Sequence, residues 1–305
     1  MTRHLLIPPR RLLRASIWET EELPGSAKAQ LIVDDSSSPG GWIVKSIRAS
    51  QGDLVSGDQA AFNDYVGSRI AEAAGFSVGE VGIMRMDDEF LDGYKHLRNQ
   101  SHGSFIAGEH FAVKYYPGSQ TLDYYFSALL RAELRAKCIN PWVVNEVVAF
   151  DSGLSNWDRS IPMQGLSGEN PKNLLIRPAR TGGGLEIVII DQGYCFAANW
   201  NTMVPPVFPS SLGAWPNEVF GVFHTLAKLN MYDQNEVLVK LGMLQSLTVA
   251  DINSIIQEVP ASWLGFTTSA QLTALVSALT HRLAGYARII TGNLTSVRTH
   301  AMVKV

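Results

Sequence analysis

The sequence lacks the residue patterns of secreted proteins and of most metal-dependent or nucleophilic enzymes. It contains two cysteines in 305 residues, Cys138 and Cys195, which lie far apart and flank no metal-type spacing. Such sparse cysteine favours a reduced, cytoplasmic protein. The seven histidines show neither HxxxH nor HExxH spacing, and no GxSxG motif is present. Zinc chemistry and a nucleophilic serine of the α/β-hydrolase type therefore have little support.

Neither sign of charge dominates, and long apolar runs are missing. Charged residues make up 17% of the chain and the net charge is −3, so we expect no nucleic-acid partner. No uncharged apolar stretch is long enough to span a bilayer, so we expect no membrane partner either. The apolar LLI near the start ends in two prolines and is too short for a signal peptide.

The first third of the chain is rich in β-prone runs. AQLIVDD, GWIVKSI, EVGIMRM and HFAVKYY are predicted strands, and the SSSPGG between the first two predicts a hairpin with a flexible loop. That loop lacks the lysine of a phosphate-binding P-loop. We expect a small sheet in this part of the chain, accompanied by one helix.

That helix is predicted for DQAAFNDYVGSRIAEAAGF. Its larger apolar residues recur at helical spacing, and Asp58 and Gly75 can cap its start and its end. Asp64 lies on the opposite side, which is unusually small and permits a second close contact. The small residues on that side are Ala60, Ala61, Gly67, Ser68 and Ala71.

Beyond Pro117–Gly118, the best candidate for a boundary between two lobes, the chain is mostly helical. LDYYFSALLRAELRAKC and PWVVNEVVAFDSGL are predicted helices, and three more follow a proline-rich loop. Two of these later helices have capping-box patterns, Thr248 with Asp251 and Thr268 with Gln271. The expected plan is a small mixed α/β lobe followed by a larger helical lobe.

Two short apolar runs in the second half, NLLIRP and LEIVII, predict an antiparallel hairpin closed by ARTGGG. If Pro178 lies opposite Leu185, then Asn173 lies opposite Ile190, the neighbour of Asp191. An amide oxygen beside a carboxylate is a hard-oxygen pair suited to Mg²⁺. The hairpin therefore predicts a metal-binding pair, Asn173 and Asp191, at one end.

Phosphoryl transfer is the chemistry that uses such a pair together with a carboxylate for the attacking hydroxyl and a lysine for the nucleotide phosphates. Asp158, in the loop before the hairpin, is free to approach the pair. Lys45 ends the apolar strand GWIV, and Asp64 on the following helix can be its partner. Taken singly, each residue has an ordinary explanation as a strand-ending or loop charge.

Seven segments, in order along the chain, carry a resemblance to a known family. GWIVKSI and AAFNDYVGSRIAEAAGFSV are followed by GEHFAVKYYPG, AFDSGLSNWDR, NPKNLLI, EIVIIDQGYCF and IIQEVPASWL. Each motif alone is weak, but their number and order are specific. On these motifs the chain resembles the HipA-like kinases, a family with the protein-kinase-like fold, over roughly residues 30 to 265.

Position by position, the resemblance implies a kinase active site. It implies that Lys45 binds the ATP phosphates and that Asp64 supports it. It further implies a catalytic role for Asp158, and Mg²⁺ binding by Asn173 and Asp191.

The resemblance also implies an adenine-binding hinge at Lys114, Tyr115 and Tyr116. The implied fold class is α+β, a bilobal protein-kinase-like fold with an N-lobe of about residues 1–116 and a C-lobe of about residues 117–305. The implied reaction transfers the γ-phosphoryl of ATP, with Mg²⁺, to a hydroxyl, and a serine or threonine of a protein partner is the expected acceptor.

Four departures from the family pattern leave other functions open. Asp64 stands in place of glutamate, Ser160 and Gln192 stand in place of histidines, and SIPMQGLSGENPK lengthens the gap between the catalytic loop and the metal hairpin. The longer gap adds Asn170 as a second candidate ligand. A pseudokinase acting as a nucleotide- or protein-binding module is therefore an alternative, as is a kinase for a small-molecule or lipid hydroxyl.

The loop containing Ser36, Ser37 and Ser38 lies where kinase-like folds cover the nucleotide phosphates. A plain polar hairpin loop is the simpler interpretation. The resemblance adds the hypothesis that this loop is mobile and is autophosphorylated.

Overall fold

The fold is seen in a computed structural model that describes residues 7–22, 28–36, 40–51, 55–100, 103–163, 166–180, 182–202, 219–223, 226 and 232–303. The strands are β1 (Leu12–Glu22), β2 (Gln30–Asp34), β3 (Trp42–Lys45), β4 (Val81–Met86), β5 (Gly108–Lys114), β6 (Gln120–Thr121), β7 (Ser160–Met163), β8 (Leu166–Glu169), β9 (Leu174–Pro178) and β10 (Leu185–Ile189). The α-helices are α1 (Gly57–Ala73), α2 (Asp88–Gly93), α3 (Ala128–Lys137), α4 (Val143–Leu154), α5 (Gln234–Gln245), α6 (Val249–Gln257) and α7 (Ser269–Val303).

The N-terminal strands close into a five-stranded barrel in the order β1-β2-β3-β5-β4. The four predicted strands are confirmed as β2 to β5, and the small sheet that they form is closed into a barrel. Strand β1, which the sequence patterns did not reveal, pairs antiparallel with β2 and parallel with β4, and thereby closes the barrel. The barrel has its own core, formed by residues that include Ile32, Trp42, Val44, Met84, Phe105 and Ala112.

Helix α1 is confirmed and is buried along almost its whole length. It begins earlier than expected, because Ser56 rather than Asp58 is the N-cap residue, and Asp58 lies in the first turn. The predicted end is confirmed: Gly75 follows the helix with φ +79°, a left-handed conformation that glycine adopts without steric penalty.

The C-terminal part contains a three-stranded sheet, β10-β9-β6, and a separate two-stranded sheet, β7-β8. The predicted register of the β9–β10 hairpin is confirmed, since Leu185 pairs with Pro178. The predicted single helix over LDYYFSALLRAELRAKC is wrong. Its backbone is extended at Ser127 (φ −67°, ψ 151°), where the side chain caps α3, and a 3-10 helix (Leu122–Phe126) precedes it.

Helices α5, α6 and α7 confirm the three predicted late helices. Both predicted capping boxes form: Thr248 with Asp251 at α6, and Thr268 with Gln271 at α7. No helix among the described residues is long and apolar enough to cross a membrane.

The largest hydrophobic core is shared between the two halves of the sequence. It contains α1 residues such as Phe62 and Ile70 together with residues of α4, α5, α6 and α7. Pro117–Gly118 lies between β5 of the barrel and β6 of the three-stranded sheet. The assignment of residues 1–116 and 117–305 to separate lobes stays a prediction.

Candidate active site

Lys45 is the last residue of β3 and lies on the face of the strand opposite the barrel interior. Its neighbours Trp42 and Val44 are buried in the barrel core, so strand alternation directs Lys45 the other way. Its Nζ lies 2.9 Å from Asp64 Oδ2 and 2.8 Å from Asp191 Oδ1. The structure therefore brings three of the predicted site residues together in one ion-pair cluster.

Asp64 reaches this cluster although its side chain is one methylene shorter than glutamate. The small side of α1 makes this possible: a Cβ added at Gly67 would lie 3.0 Å from Cys195 Sγ and from the Gln192 Cβ. Because the helix approaches this closely, Asp64 Oδ1 also accepts a 2.6 Å hydrogen bond from the Gln192 backbone N–H. The departure from glutamate is thus compensated by the position of the helix.

The charges in the cluster set its protonation. Burial raises the pKa of Asp64 to about 6, against the opposing charge of Lys45. Burial also pushes the pKa of Asp191 upward, but the charge and hydrogen bond of Lys45 outweigh it and hold that pKa below its ordinary value. Burial acts to lower the pKa of Lys45, and the two carboxylates reverse this and raise it. Lys45 and Asp191 consequently form an ionised pair.

Asp158 lies at a second cluster with two asparagines. Its Oδ2 accepts hydrogen bonds from Asn170 Nδ2 at 3.1 Å and from Asn173 Nδ2 at 2.9 Å. Burial raises the pKa of Asp158, and the nearby Asp191 carboxylate raises it further, so the two clusters are electrostatic neighbours.

The long insertion after Asp158 folds into the β7–β8 hairpin and does not separate the site residues. Ser160 pairs with Glu169 at its base, and the Asn170 N–H donates to the Arg159 carbonyl at 2.9 Å. The chain thus returns beside the point where it left, which allows both Asn170 and Asn173 to reach Asp158.

Sequence reasoning missed the role of Asn63, which anchors the segment following Asp191. Asn63 Nδ2 donates to the Gly193 carbonyl at 2.9 Å and to the Ala198 carbonyl at 2.8 Å. Between them Phe196 and Ala197 both have φ +61°, which L-residues rarely adopt. The position of Asn63 directly before Asp64, on the small side of α1, was the available signal.

The three proposed hinge residues lie at the end of the β3–β5 pair that is opposite Lys45. Trp42 pairs with Lys114 whereas Lys45 pairs with Phe111, so Lys114 is at the opposite end of the β3–β5 pair from Lys45. The N–H groups of Lys114 and Tyr115 donate to the carbonyls of Glu80 and Gly41. The Tyr116 hydroxyl accepts from the Glu80 N–H at 3.1 Å. Adenine binding by this segment stays a prediction.

Of the three serines in the loop between β2 and β3, only Ser36 lies within the described residues. Ser36 donates a hydrogen bond to the Asp34 carboxylate. Ser37 and Ser38 lie outside the described residues, so the hypothesis about this loop stays a prediction.

The side-chain oxygens of Asn173 and Asp191 are of the type that Mg²⁺ prefers. Asn173 turns its amide nitrogen to Asp158, which leaves its oxygen directed away, and the Asp191 side chain is 36% exposed. Mg²⁺ is commonly held by one or two protein oxygens and completes its shell with water and phosphate. No group of three or more His, Cys, Asp and Glu residues within the described ranges could hold a metal ion, so a multi-carboxylate or zinc-type site receives no support there.

Comparisons with known proteins concern the family and the fold of the chain. The family model described as HipA-like kinase matches residues 42–287. The crystal structure of the Helicobacter pylori proinflammatory kinase CtkA superposes with a TM-score of 0.52 at 13% identity, over 96% of this chain and 99% of that one. At this identity the likeness concerns the fold alone, a mixed α/β fold similar to that of HipA-like kinases.

A second solved structure, from the complex of HipA, HipB and operator DNA of the Shewanella oneidensis MR-1 toxin–antitoxin system, has a TM-score of 0.42 at 12% identity. It covers 97% of this chain and 69% of that one, and its TM-score is too low to support an argument. No curated protein sequence matches significantly. Because the family match spans most of the sequence, the chain belongs to the HipA-like kinase family.

Proposed function

We propose that the chain is an active, bilobal ATP-dependent kinase that transfers the γ-phosphoryl group to a serine or threonine hydroxyl of a protein. The observation that carries the proposal is the position of Lys45 between Asp64 and Asp191, with Asp158 and two asparagines beside them. This set contains a phosphate-binding cation, metal-binding oxygens and a carboxylate for the acceptor, the parts that phosphoryl transfer requires.

Lys45 binds the nucleotide phosphates in this proposal. Its ammonium group has three N–H donors, and two of them are directed at Asp64 and Asp191. The third is assigned to a phosphate oxygen. Asp64 is nearly fully buried, so it holds the ammonium in place while the nucleotide enters and leaves.

Asn173 and Asp191 hold Mg²⁺, and Asn170 is the alternative ligand. The ion supplies neutralisation of phosphate charge when it is bound with the nucleotide. The chain's own contribution is rigidity, because Asn173 adjoins β9 and Asp191 lies two residues beyond the end of β10, which pairs with β9.

Asp158 orients the acceptor hydroxyl and accepts its proton. Both asparagine amides bind Oδ2 of this carboxylate, so Oδ1 is the atom assigned to the hydroxyl. The two asparagines therefore fix the direction of the Asp158 carboxylate. This orientation accounts for much of the contribution of Asp158 to the rate, since phosphoryl transfer depends mainly on positioning and charge.

Two substitutions test the proposal: Asp191→Ala and Asp158→Ala, each compared with the wild type for Mg²⁺-dependent ATP binding and for ATP turnover. We expect Asp191→Ala to lose the metal-dependent part of binding. We expect Asp158→Ala to keep binding and to lose turnover by about 10²-fold or more, the contribution of a positioned acid–base group. Unchanged behaviour of both variants would refute the site.

The same measurements separate the alternatives. A pseudokinase would give no turnover in the wild type, with or without binding. Turnover stimulated by a small alcohol or a lipid headgroup, and not by a protein, would indicate the third candidate. Intact-mass spectrometry after incubation with ATP and Mg²⁺ tests autophosphorylation, and mass analysis of a proteolytic digest locates it. An unmodified peptide carrying Ser36, Ser37 and Ser38 would contradict that hypothesis.

A further inference from the structure

Arg159, directly after Asp158, is a fully buried arginine with a fully buried partner. Its Nε lies 2.8 Å from Asp151 Oδ2 and 3.2 Å from Asp151 Oδ1, and neither side chain is exposed to solvent. Asp151 belongs to the last turns of α4, so this ion pair ties the loop containing Asp158 to the helix that precedes it.

The other side of the Arg159 guanidinium contacts the metal hairpin. Nη1 donates to the Ile190 carbonyl at 2.8 Å and to the Asn173 carbonyl, and Nη2 lies 3.5 Å from the Asp191 carbonyl. The Arg159 backbone carbonyl in turn accepts from the Asn170 N–H. One residue therefore contacts the backbone of every residue assigned to the metal and is covalently joined to Asp158.

We propose that Arg159, oriented by Asp151, is the positioning residue that sets the distance between Asp158 and the metal-binding oxygens of Asn173 and Asp191. The inference rests on the proposed function and adds to it a residue that touches neither nucleotide nor acceptor. Asp158 and Asn173 are separated in sequence by the β7–β8 insertion. To the paired base of that hairpin and the asparagine–Asp158 hydrogen bonds, Arg159 adds a direct link from the catalytic loop to the backbone of both hairpin ends.

The chemistry of arginine suits this task and that of lysine does not. A guanidinium is planar and presents five N–H donors in fixed directions, so it can bind a carboxylate on one side and several carbonyls on the other. A lysine at the same place would keep the charge but would supply a single ammonium. A buried ion pair by itself contributes little net stability. The distinctive contribution of the Asp151–Arg159 pair is therefore its contacts with the ends of the two hairpin strands.

Two variants separate positioning from stability. Arg159→Lys keeps the positive charge and loses the planar set of N–H donors of the guanidinium. The double variant Asp151→Leu with Arg159→Met replaces the ion pair by apolar side chains, an exchange that folded proteins often tolerate. For each we would measure the affinity for a non-hydrolysable ATP analogue with and without Mg²⁺, then kcat for ATP turnover, at a temperature where thermal unfolding shows the variant to be folded.

We expect both variants to lose Mg²⁺-dependent affinity by about 10-fold or more, as outer-shell substitutions at metal sites do. We expect kcat to fall by about 10²-fold, the effect of a misplaced reacting group, while Mg²⁺-free analogue affinity stays near the wild-type value. If the double variant does not fold, Arg159→Lys decides the question alone.

The pair formed by Glu146 and Lys240 provides the matched control. It is a buried ion pair between α4, which also carries Asp151, and α5, with a 2.9 Å contact, and it is not part of either cluster. Glu146→Gln with Lys240→Met should lower the melting temperature and leave the Mg²⁺-dependent affinity unchanged.

The outcomes are distinguishable. Wild-type Mg²⁺-dependent affinity and kcat in both folded Arg159 variants would overturn the inference and leave the proposed function standing. Loss of Mg²⁺-dependent affinity in the control pair as well would also overturn it, because the effect would then be general destabilisation. Absence of Mg²⁺-dependent analogue binding in the wild type would overturn the proposed function and this inference together.

Discussion

The barrel interior and α1 are neighbours in sequence, yet they contribute to different hydrophobic cores. The barrel strands enclose their own interior core, whereas α1 packs with the C-terminal helices and with Val81, Ile83 and Phe111 of β4 and β5. Polar contacts also join α1 to the C-terminal half: Arg69 Nε lies 2.8 Å from Glu258 Oε2, and the Tyr65 hydroxyl lies 2.9 Å from the same atom. The barrel contributes Lys45 to the site, and the C-terminal half holds the helix that carries its partner Asp64.

The Lys45–Asp64 pair therefore lies where the barrel meets the core that α1 shares with the C-terminal helices. Trp263 links α1 to the barrel, because its Nε1 donates to the Glu109 carbonyl of β5 at 2.8 Å and its ring packs against Tyr65 of α1. We therefore expect substitutions in the shared core to alter the site and substitutions of similar size in the barrel core to leave it intact.

The largest expected effect is that of Trp263→Ala. Removing this fully buried side chain should lower the free energy of unfolding by about 3–5 kcal/mol, and should weaken ATP-analogue binding because α1 loses its support. Leu91→Ala in the barrel core is the control, with an expected loss of about 2–5 kcal/mol and no change in analogue affinity. Equal losses of affinity in the two folded variants would contradict the division into two cores.

Acid pH should destabilise the folded protein through a buried histidine of the barrel, His110. His110 on β5 is fully buried, its Nδ1 accepts from the Ile47 N–H and its Nε2 lies 2.8 Å from the Ile106 carbonyl. Burial lowers the pKa of His110 from 6.5 to about 4, against the hydrogen bond to Ile106. The neutral imidazole is therefore the form that the fold accommodates.

The sign of the pH effect follows from that lowered pKa. Between pH 6.5 and 4 the unfolded chain binds the proton and the folded one does not, so stability falls as pH falls through this window. The contribution of His110 at pH 5 is a loss of about 2 kcal/mol relative to pH 7. Denaturant unfolding of the wild type and His110→Gln at both pH values measures it, and an identical pH dependence of the two proteins would contradict the assignment.

The smallest expected effect tests the close approach of α1 to the segment after Asp191. Gly67→Ala places a methyl group 3.0 Å from Cys195 Sγ and should destabilise the protein by about 1 kcal/mol, while weakening the Lys45–Asp64 pair. Gly242→Ala on α5, where an added Cβ meets nothing within 4 Å, should stabilise by about 0.5–1 kcal/mol. A stabilising Gly67→Ala would show that the approach is not tight.

Several parts of the fold were readable from local patterns. The register of the β9–β10 hairpin followed from two β-prone runs and a glycine-rich turn, and it placed Asn173 opposite Ile190, whose N–H donates to the Asn173 carbonyl at 3.3 Å. The capping boxes of α6 and α7 likewise depend on residues three positions apart. Interactions over such short separations are encoded by the residues themselves.

Other parts could not be predicted because they depend on packing. Strand β1 has weak alternation, with Leu12 and Ile17 both exposed. It becomes a strand by pairing with β2 on one side and with β4 on the other. The break at Ser127 interrupts an otherwise helical pattern where its side chain caps α3. The match between a shortened acid, Asp64, and a closely packed helix appears only once both elements are in place.

The sequence by itself determined the family, through the order of its motifs, and the identity of the residues that meet in the candidate site. Tertiary structure alone decided that Lys45 contacts Asp191 across 146 positions of sequence, that the insertion folds back as a hairpin, and that Arg159 joins the catalytic loop to the metal hairpin. The physical reason is that periodicity and turn chemistry act between near neighbours along the chain. Contacts between distant segments depend on how closely helices and strands can pack.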